Sequence, residues 1–459
     1  MDAMRGRSVW ALVFLSTSFV GWEAEAQAPS GEEQQYLFSV LPLIDKGQLA
    51  VAEEKLVEGR KLYPRSAIIQ NALGIVYLKQ NKMEAAVAAF RQALQILPTF
   101  TAAQLHLASI YQQQGNKKEA AELFAAVGKT TPDFDALVTA GLGLAQCEDY
   151  PNAIQVLEKA RFLRPESASV AYNLALARYR KGEFQSALDT LGSIQSSDET
   201  QKADVLFLRG KLKKGLNQTG GSEDLAQACR LEPSSETYCV DAGLALMKEE
   251  RLQEAEQALQ GGLGKSSSSL PLRSTLGLVQ FRLGKYSEAI ESYTQVLEKD
   301  PAGDASREGL AFLLYLTGEL EKARNVVEKG LKNETSDFYL SQLHAMILYR
   351  LSPQLWREAI SSINRALEKK PGFAPAYFLR GKIEMDNCQL EAALQDFQKA
   401  AELDGKYPLP YYKIAQIYIR QGRLQEAEVA RQKFSELGNL REEELLTKQT
   451  QDLLMQVVR

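Results

Sequence analysis

A block of about 34 residues returns along this chain from Gln34 almost to its last residues, and no other feature restricts the fold as strongly. Within residues 67–98 the order is Leu73-Gly74, Tyr77, Ala86, Phe90, Ala93 and Pro98. The next stretch replays it as Leu107-Ala108, Tyr111, Ala120, Phe124 and Pro132, and further on Leu276-Gly277, Ala289, Tyr293, Val296 and Pro301 keep the same offsets. A repeat of this length is one supersecondary unit that buries its apolar face only by stacking on its neighbours. The period therefore predicts an array whose core grows along an axis, and the 459 residues need not divide into several globules.

Each repeat reads as two short helices. Leu73, Val76 and Tyr77 share one helical face, as do Ala86, Phe90, Ala93 and Leu94. Polar or glycine-bearing turns separate the two, among them Gln114-Gly115-Asn116, Lys181-Gly182-Glu183, Leu283-Gly284-Lys285 and Gln421-Gly422-Arg423. Pro64, Pro98, Pro132, Pro165, Pro233, Pro301 and Pro371 close second helices, because proline lacks an amide hydrogen and crowds the preceding turn. Repeats are predicted to begin near residues 33, 67, 101, 134, 168, 202, 236, 270, 304, 338, 374 and 408. Leu144 stands where an aromatic is usual, Gly221 replaces the alanine of the second helix, and residues are inserted around Ser352-Pro353-Gln354-Leu355.

This spacing of small residue, aromatic, alanine, aromatic, alanine and proline resembles the tetratricopeptide repeat family. The resemblance implies an all-α fold, a right-handed α-α superhelix or solenoid of about twelve helix-turn-helix repeats over residues 33–440. It also implies that first helices line an inner groove, where the binding candidates are Asn71, Tyr172, Tyr179, Arg180, Phe207, Lys211, Phe281, Arg282, Tyr315, Phe378, Lys382 and Tyr412, with Ile75 and Phe312 in the same series. Aromatic rings there suit capture of an extended or helical peptide. The competing reading turns each ring toward the neighbouring repeat, and the two stand level at any one position. A basic series, Lys79, Arg180, Lys248, Arg282, Arg350 and Arg420, stands near the ends of first helices. Complementing the helix dipole explains it better than an acidic ligand does. Asn71 and Asn173 resemble single elements of the carboxylate clamp of some family members, whose other residues are missing from the adjoining repeats.

The two ends of the sequence read differently. Arg5 and Arg7 precede an uncharged, mainly apolar run at 8–22, and Ala24-Glu25-Ala26 suits a signal peptidase, so residues 1–26 are expected to be a signal peptide cut before Gln27. A retained anchor is the alternative. Residues 27–32 form a short linker, and the signal points to an exported bacterial protein, periplasmic or secreted. In residues 441–459, Leu446, Leu453, Leu454, Val457 and Val458 make an apolar stripe beside Glu442, Glu443, Lys448 and Asp452, which predicts a capping helix. Cys229 and Cys239 are ten residues apart, at the end of one repeat's second helix and in the next repeat's first. A disulfide there is one reading, and two buried thiols acting as small apolar residues is the favoured one.

Little in the chain suits catalysis. Its two histidines, His106 and His344, lie on distant first helices among apolar neighbours. Gly261-Gly262-Leu263-Gly264-Lys265 lacks the spacing and the preceding strand of a phosphate-binding loop, and there is no Cys-x-x-Cys pair. No enzyme activity, cofactor or metal is expected. A formal charge of -4 with Lys and Arg interleaved among Glu and Asp argues against nucleic acid as a partner, and no membrane insertion is expected after signal cleavage. Asn217 and Asn333 head glycosylation sequons. The expected function is an exported protein-protein interaction scaffold or assembly factor that binds other proteins or peptide segments. The alternatives are a glycan or small-ligand binder, or a non-catalytic accessory subunit of a glycosyltransferase, polysaccharide-export or secretion system.

Overall fold

Side-chain caps and left-handed turn residues set where the chain starts and stops each helix. Ser66, Asp133, Ser167 and Ser269 each accept a hydrogen bond from a backbone N–H in the first turn that follows, the Asp133 contact being 2.7 Å. The computed structural model describes residues 31–194, 199–332, 338–438, 446–448, 450, 451 and 454. Over these residues the chain runs α1 Gly31–Asp45, α2 Leu49–Leu62; α3 Ala67–Lys79, α4 Met83–Ile96; α5 Thr101–Gln113, α6 Lys117–Thr130; α7 Phe134–Gln146, α8 Tyr150–Leu163; α9 Ala168–Lys181, α10 Phe184–Leu191; α11 Glu199–Gly215, α12 Gly221–Leu231. It continues α13 Glu236–Lys248, α14 Leu252–Lys265; α15 Leu270–Arg282, α16 Tyr286–Lys299; α17 Asp304–Leu316, α18 Leu320–Leu331; α19 Phe338–Leu351, α20 Trp356–Lys369; α21 Ala374–Asp386, α22 Leu390–Leu403; α23 Pro408–Arg420, α24 Leu424–Leu437. The odd-numbered helices are the first helices of the repeats, and they begin at or within three residues of the expected positions. The inserted residues form a 3₁₀ turn, Pro353–Leu355, between α19 and α20.

Every hairpin turn but the one containing that insertion holds a residue with positive φ at the same place. Glycine fills it at 47, 115, 182, 284, 318 and 422, whereas Asn81, Glu148, Asn217, Glu250 and Cys388 adopt the same left-handed backbone with a Cβ. A side chain there carries a steric cost of about 1 kcal/mol, which the packing of the flanking helices offsets. A second recurrent contact joins one hairpin to the next. The fourth residue of a first helix donates to the carbonyl six positions before it: Gln104 to Pro98 at 2.7 Å, Arg273 to Ser267 at 2.7 Å, and Arg307 to Pro301. These bonds occupy carbonyls left open where a second helix ends.

The chain forms two compact units, residues 1–224 and 225–459, with the boundary inside α12. In the first, Phe124, Leu137, Leu144, Leu157 and Leu174 belong to one buried cluster that passes from hairpin to hairpin. The helices approach closely where a ring faces a glycine: a Cβ on Gly74 would stand 2.5 Å from the Phe90 ring, and one on Gly143 2.4 Å from Phe124. In the second, Phe378, Phe397 and Tyr407 make the corresponding ring contacts, at centroid distances of 5.6 and 5.2 Å from Phe378.

Cys229 and Cys239 form a disulfide with their Cα atoms 4.8 Å apart, which overturns the expectation of two separate buried thiols. The tight passage from α12 into α13 brings the end of a second helix against the start of the next first helix, so both side chains enter the same buried space. Cys147 is a buried free thiol and Cys388 an exposed one.

The last described residues, 446–448, 450, 451 and 454, are helical. Thr450 and Leu454 are buried, whereas on α24 Leu424 and Val429 remain about two-thirds exposed at 67% and 68%. Thr450 Oγ1 donates to the Leu446 carbonyl at 2.9 Å and pairs with the phenol of Tyr339 on α19, which lies 111 residues earlier in the chain. The expected signal peptide at 1–26, most of the 27–32 linker, the Asn333 sequon and Leu453, Val457 and Val458 of the apolar stripe lie outside the described residues.

Candidate peptide-binding face

In the first unit the candidate residues gather on two successive first helices, α9 and α11. Tyr172 and Tyr179 are seven residues apart and so share a face of α9. Both rings, with Phe184, pack over Ala175, Ala187, Leu191, Leu208 and Leu212, and Tyr179 stacks on Phe184 at 5.6 Å. Burial, and then the nearby Asp204 carboxylate, push the Tyr172 phenol well up. On α11 the Lys211 ammonium stands 5.9 Å from the Phe207 ring, and both residues are partly exposed. Arg180 is exposed at the end of α9. Asn71 differs from these. It is buried on α3 and its side-chain carbonyl has no hydrogen-bond partner among the described residues.

The second unit divides its candidates between core and surface. Phe281, Phe312 and Phe378 are buried, with Phe281 and Phe312 in mutual ring contact at 5.9 Å, so these three rings serve packing between hairpins and present no accessible face. Tyr315 is partly exposed, stacked on Phe312 and covered by the Arg350 guanidinium 4.8 Å from its ring. Arg350 also donates to the Tyr315 carbonyl at 2.9 Å, and Arg282 repeats the arrangement by donating to the Met247 carbonyl at 3.2 Å and to Glu250 at 2.7 Å. Each cation thus meets the carbonyl end of the preceding first helix, the dipole-complementing role that the sequence favours. Lys382 lies 5.9 Å from the Tyr349 ring, and Tyr412 is 43% exposed beside Phe434.

Polar pairs cross between the two helices of single hairpins. Arg209 makes a two-point contact with buried Asp224, which Lys213 also touches at 2.8 Å, and Arg380 does the same with Asp396 at 2.6 and 2.8 Å. Burial alone would raise the Asp224 pKa, but the bonds from Arg209 and Lys213 hold it below the usual carboxylate range. His344 occupies the place of Arg380 in its own hairpin, with Nδ1 2.9 Å from Ser362 Oγ, and burial lowers its pKa. His106 stacks on Phe90 at 5.2 Å, and burial holds its pKa down at about 4. Both histidines are therefore neutral packing groups near neutral pH.

Beside the Arg380–Asp396 pair, burial and the Asp396 charge raise Glu384 to about 7. Because this carboxyl titrates higher when folded than when unfolded, its contribution is intact below the ordinary carboxylate range and is lost as pH rises through about 7. Glu384→Gln is expected to raise stability at pH 8 by about 1 kcal/mol, a figure discounted for partial exposure, and to change little near pH 4. Thermal melts at the two pH values check this, and an equal effect at both would refute it.

Among the described residues no group of three or more His, Cys, Asp or Glu is placed to hold a metal, and no helix is long and apolar enough to cross a membrane. A cavity of about 520 Å³ lies beside Phe162 on α8 and is also lined by Leu137 of α7. Both of its charged lining groups are already engaged: Lys159 donates to the Gly128 carbonyl at 2.6 Å and Glu158 accepts from Arg178 at 2.5 Å. The sequence singled out neither Tyr339 nor Thr450, the pair that seats a helical segment on a first helix. Thr450 stands midway between Leu446 and Leu454 of the apolar stripe, four residues from each, which was the available signal.

Family models for the tetratricopeptide repeat match residues 77–143 and 280–347, and a second such model matches 43–99 and 138–196. A TPR repeat model matches 381–422. The BBSome complex member BBS4 of Bos taurus is 23% identical over 429 residues, covering 86% of this chain and 76% of that protein. Superkiller protein 3 of Schizosaccharomyces pombe is 32% identical over 136 residues, covering 28% of this chain and 10% of its own. This chain likewise spans only 29% of the length of Anaphase-promoting complex subunit 3 from the same organism, at 24% identity over 43% of this chain. Among solved structures, the APC/C hetero-tetramer Cut9-Hcn1 gives a TM-score of 0.42 at 14% identity, over 92% of this chain and 96% of that one.

Proposed function

Because this chain belongs to the tetratricopeptide repeat family, we propose that it serves as an exported protein-interaction scaffold or assembly factor, holding peptide segments of partner proteins against its first helices. The observation that carries this reading is the run of partly exposed rings and cations on consecutive first helices, Tyr172 and Tyr179 on α9 followed by Phe207 and Lys211 on α11. Rings fixed by packing on one side offer contact area to a peptide at small entropic cost. Relatives named as members of the BBSome and of the anaphase-promoting complex are in keeping with work inside an assembly. Export is supported by the Cys229–Cys239 disulfide, a bond that persists in oxidising compartments, and by the basic-apolar-small order of residues 1–26.

The test is a photo-crosslinking amino acid placed at Phe207 or at Tyr179 in the full chain, expressed in its own source. Discrete protein adducts are expected at these sites in the exported fraction, on a chain whose mature N-terminus is Gln27. Adducts no more frequent there than at Phe162 on α8 would overturn the binding face, and a chain retained inside the cell with Met1 intact would overturn export.

A further inference from the structure

Two first helices of the second unit bury nine residues each, one more than α15, whose residues 272 and 275–281 are buried. On α17 nine consecutive residues, 306–314, are buried, and on α19 residues 339–343 and 345–348 are. A first helix packed only by its neighbours buries a stripe, as α5 does with Ala103, Gln104, Leu107, Ala108 and Ile110. On α19 part of that burial comes from a segment beyond the adjoining hairpins. Leu446, Thr450 and Leu454 are spaced by four and share one helical face, Thr450 and Leu454 are buried, and Lys448 is exposed. Since Thr450 donates its hydroxyl hydrogen to the Leu446 carbonyl, Tyr339 is the donor to Thr450 Oγ1. Gln342, one turn along α19 from Tyr339, is only 1% exposed, and its side-chain carbonyl has no hydrogen-bond partner among the described residues. The segment satisfies Tyr339, whereas the Gln342 carbonyl keeps no partner among the described residues.

We propose that the face of α19 around Tyr339 is a docking site for an amphipathic helix, and that the chain's own residues 446–448, 450, 451 and 454 occupy it in cis. The helix it takes carries a hydroxyl residue with leucines four positions before and after. A side-chain donor placed to reach Gln342 would let a partner helix displace the resident one. This rests on the scaffold reading above and adds a gate to it, because a tethered segment competes at an effective concentration on the order of millimolar.

The test uses full-length chains and a fluorescent peptide of residues 441–459. Wild type is expected to bind the peptide at least about tenfold more weakly than a Thr450→Ala, Leu454→Glu chain, whose site is vacated. Adding Tyr339→Phe to the vacated chain should weaken peptide binding several-fold. A Tyr339→Cys, Thr450→Cys chain, with Cys388→Ser to remove the exposed thiol, should oxidise to a crosslinked monomer and gives a readout that does not need the vacated chain to fold. Equal peptide affinity in wild type and vacated chains would refute cis occupancy while leaving peptide binding, and so the scaffold reading, in place. No binding to either, with helical content unchanged, would remove this face as a binding site. A crosslink between two chains, or none, would show that the cis segment is not the occupant.

Discussion

Phe90→Asp is expected to melt the hairpins on both sides of α4 while distant hairpins keep their protection. The ring is fully buried, fills the space a Cβ on Gly74 would take, and stacks on His106. Removing an aromatic ring from such a site costs about 3–5 kcal/mol, and the substituted carboxylate adds the cost of an unpaired buried charge. In a stacked array each hairpin depends chiefly on its nearest neighbours, so the damage centres on α3–α6. Hydrogen exchange should show faster exchange there and unchanged exchange around α19–α22. Lys248→Glu, at an exposed position on α13, should leave the far-ultraviolet circular dichroism signal intact. Equal loss of helix in the two variants would mean that the core face is misassigned.

Reduction of the Cys229–Cys239 bond is the second large effect. The bridge closes a loop with a sequence separation of 10, for which the chain-entropy model gives about 3 kcal/mol. Cys229→Ser with Cys239→Ser, or a reductant, should lower the melting temperature of the second unit and raise exchange in α13, with α3–α8 unaffected. In the untreated chain only Cys388 should react readily with an alkylating agent, since Cys147 is buried. Rapid labelling of Cys229 or Cys239 without reductant would show the bond to be absent.

The repeat period made the helices legible because each boundary has a local cause. The site was less legible. A first helix has apolar residues directed at its own partner, at the next hairpin and at solvent, and identity does not distinguish the three directions. Phe281 and Phe207 are the same residue type on equivalent helices, yet one is enclosed by Phe312 and Tyr286 while the other is partly exposed under Lys211. The disulfide depended on how closely α12 and α13 approach, a tertiary distance that spacing leaves open. The Tyr339–Thr450 contact spans 111 residues and is not part of the repeating pattern. Glu384 shows a further limit, because its raised pKa comes from burial and then from Asp396 on another helix.

The positive-φ residue shared by the hairpin turns has an evolutionary corollary. Glycine at 115 and 284 and a bulkier residue at 148 and 250 meet the same geometric demand, so one joint is interchangeable with the next. A hairpin duplicated or deleted in frame carries its own turn with it, so no other turn need change. Length in such a chain changes in steps of one hairpin, which lets a lineage alter the reach of its binding surface while every surviving turn keeps its old shape.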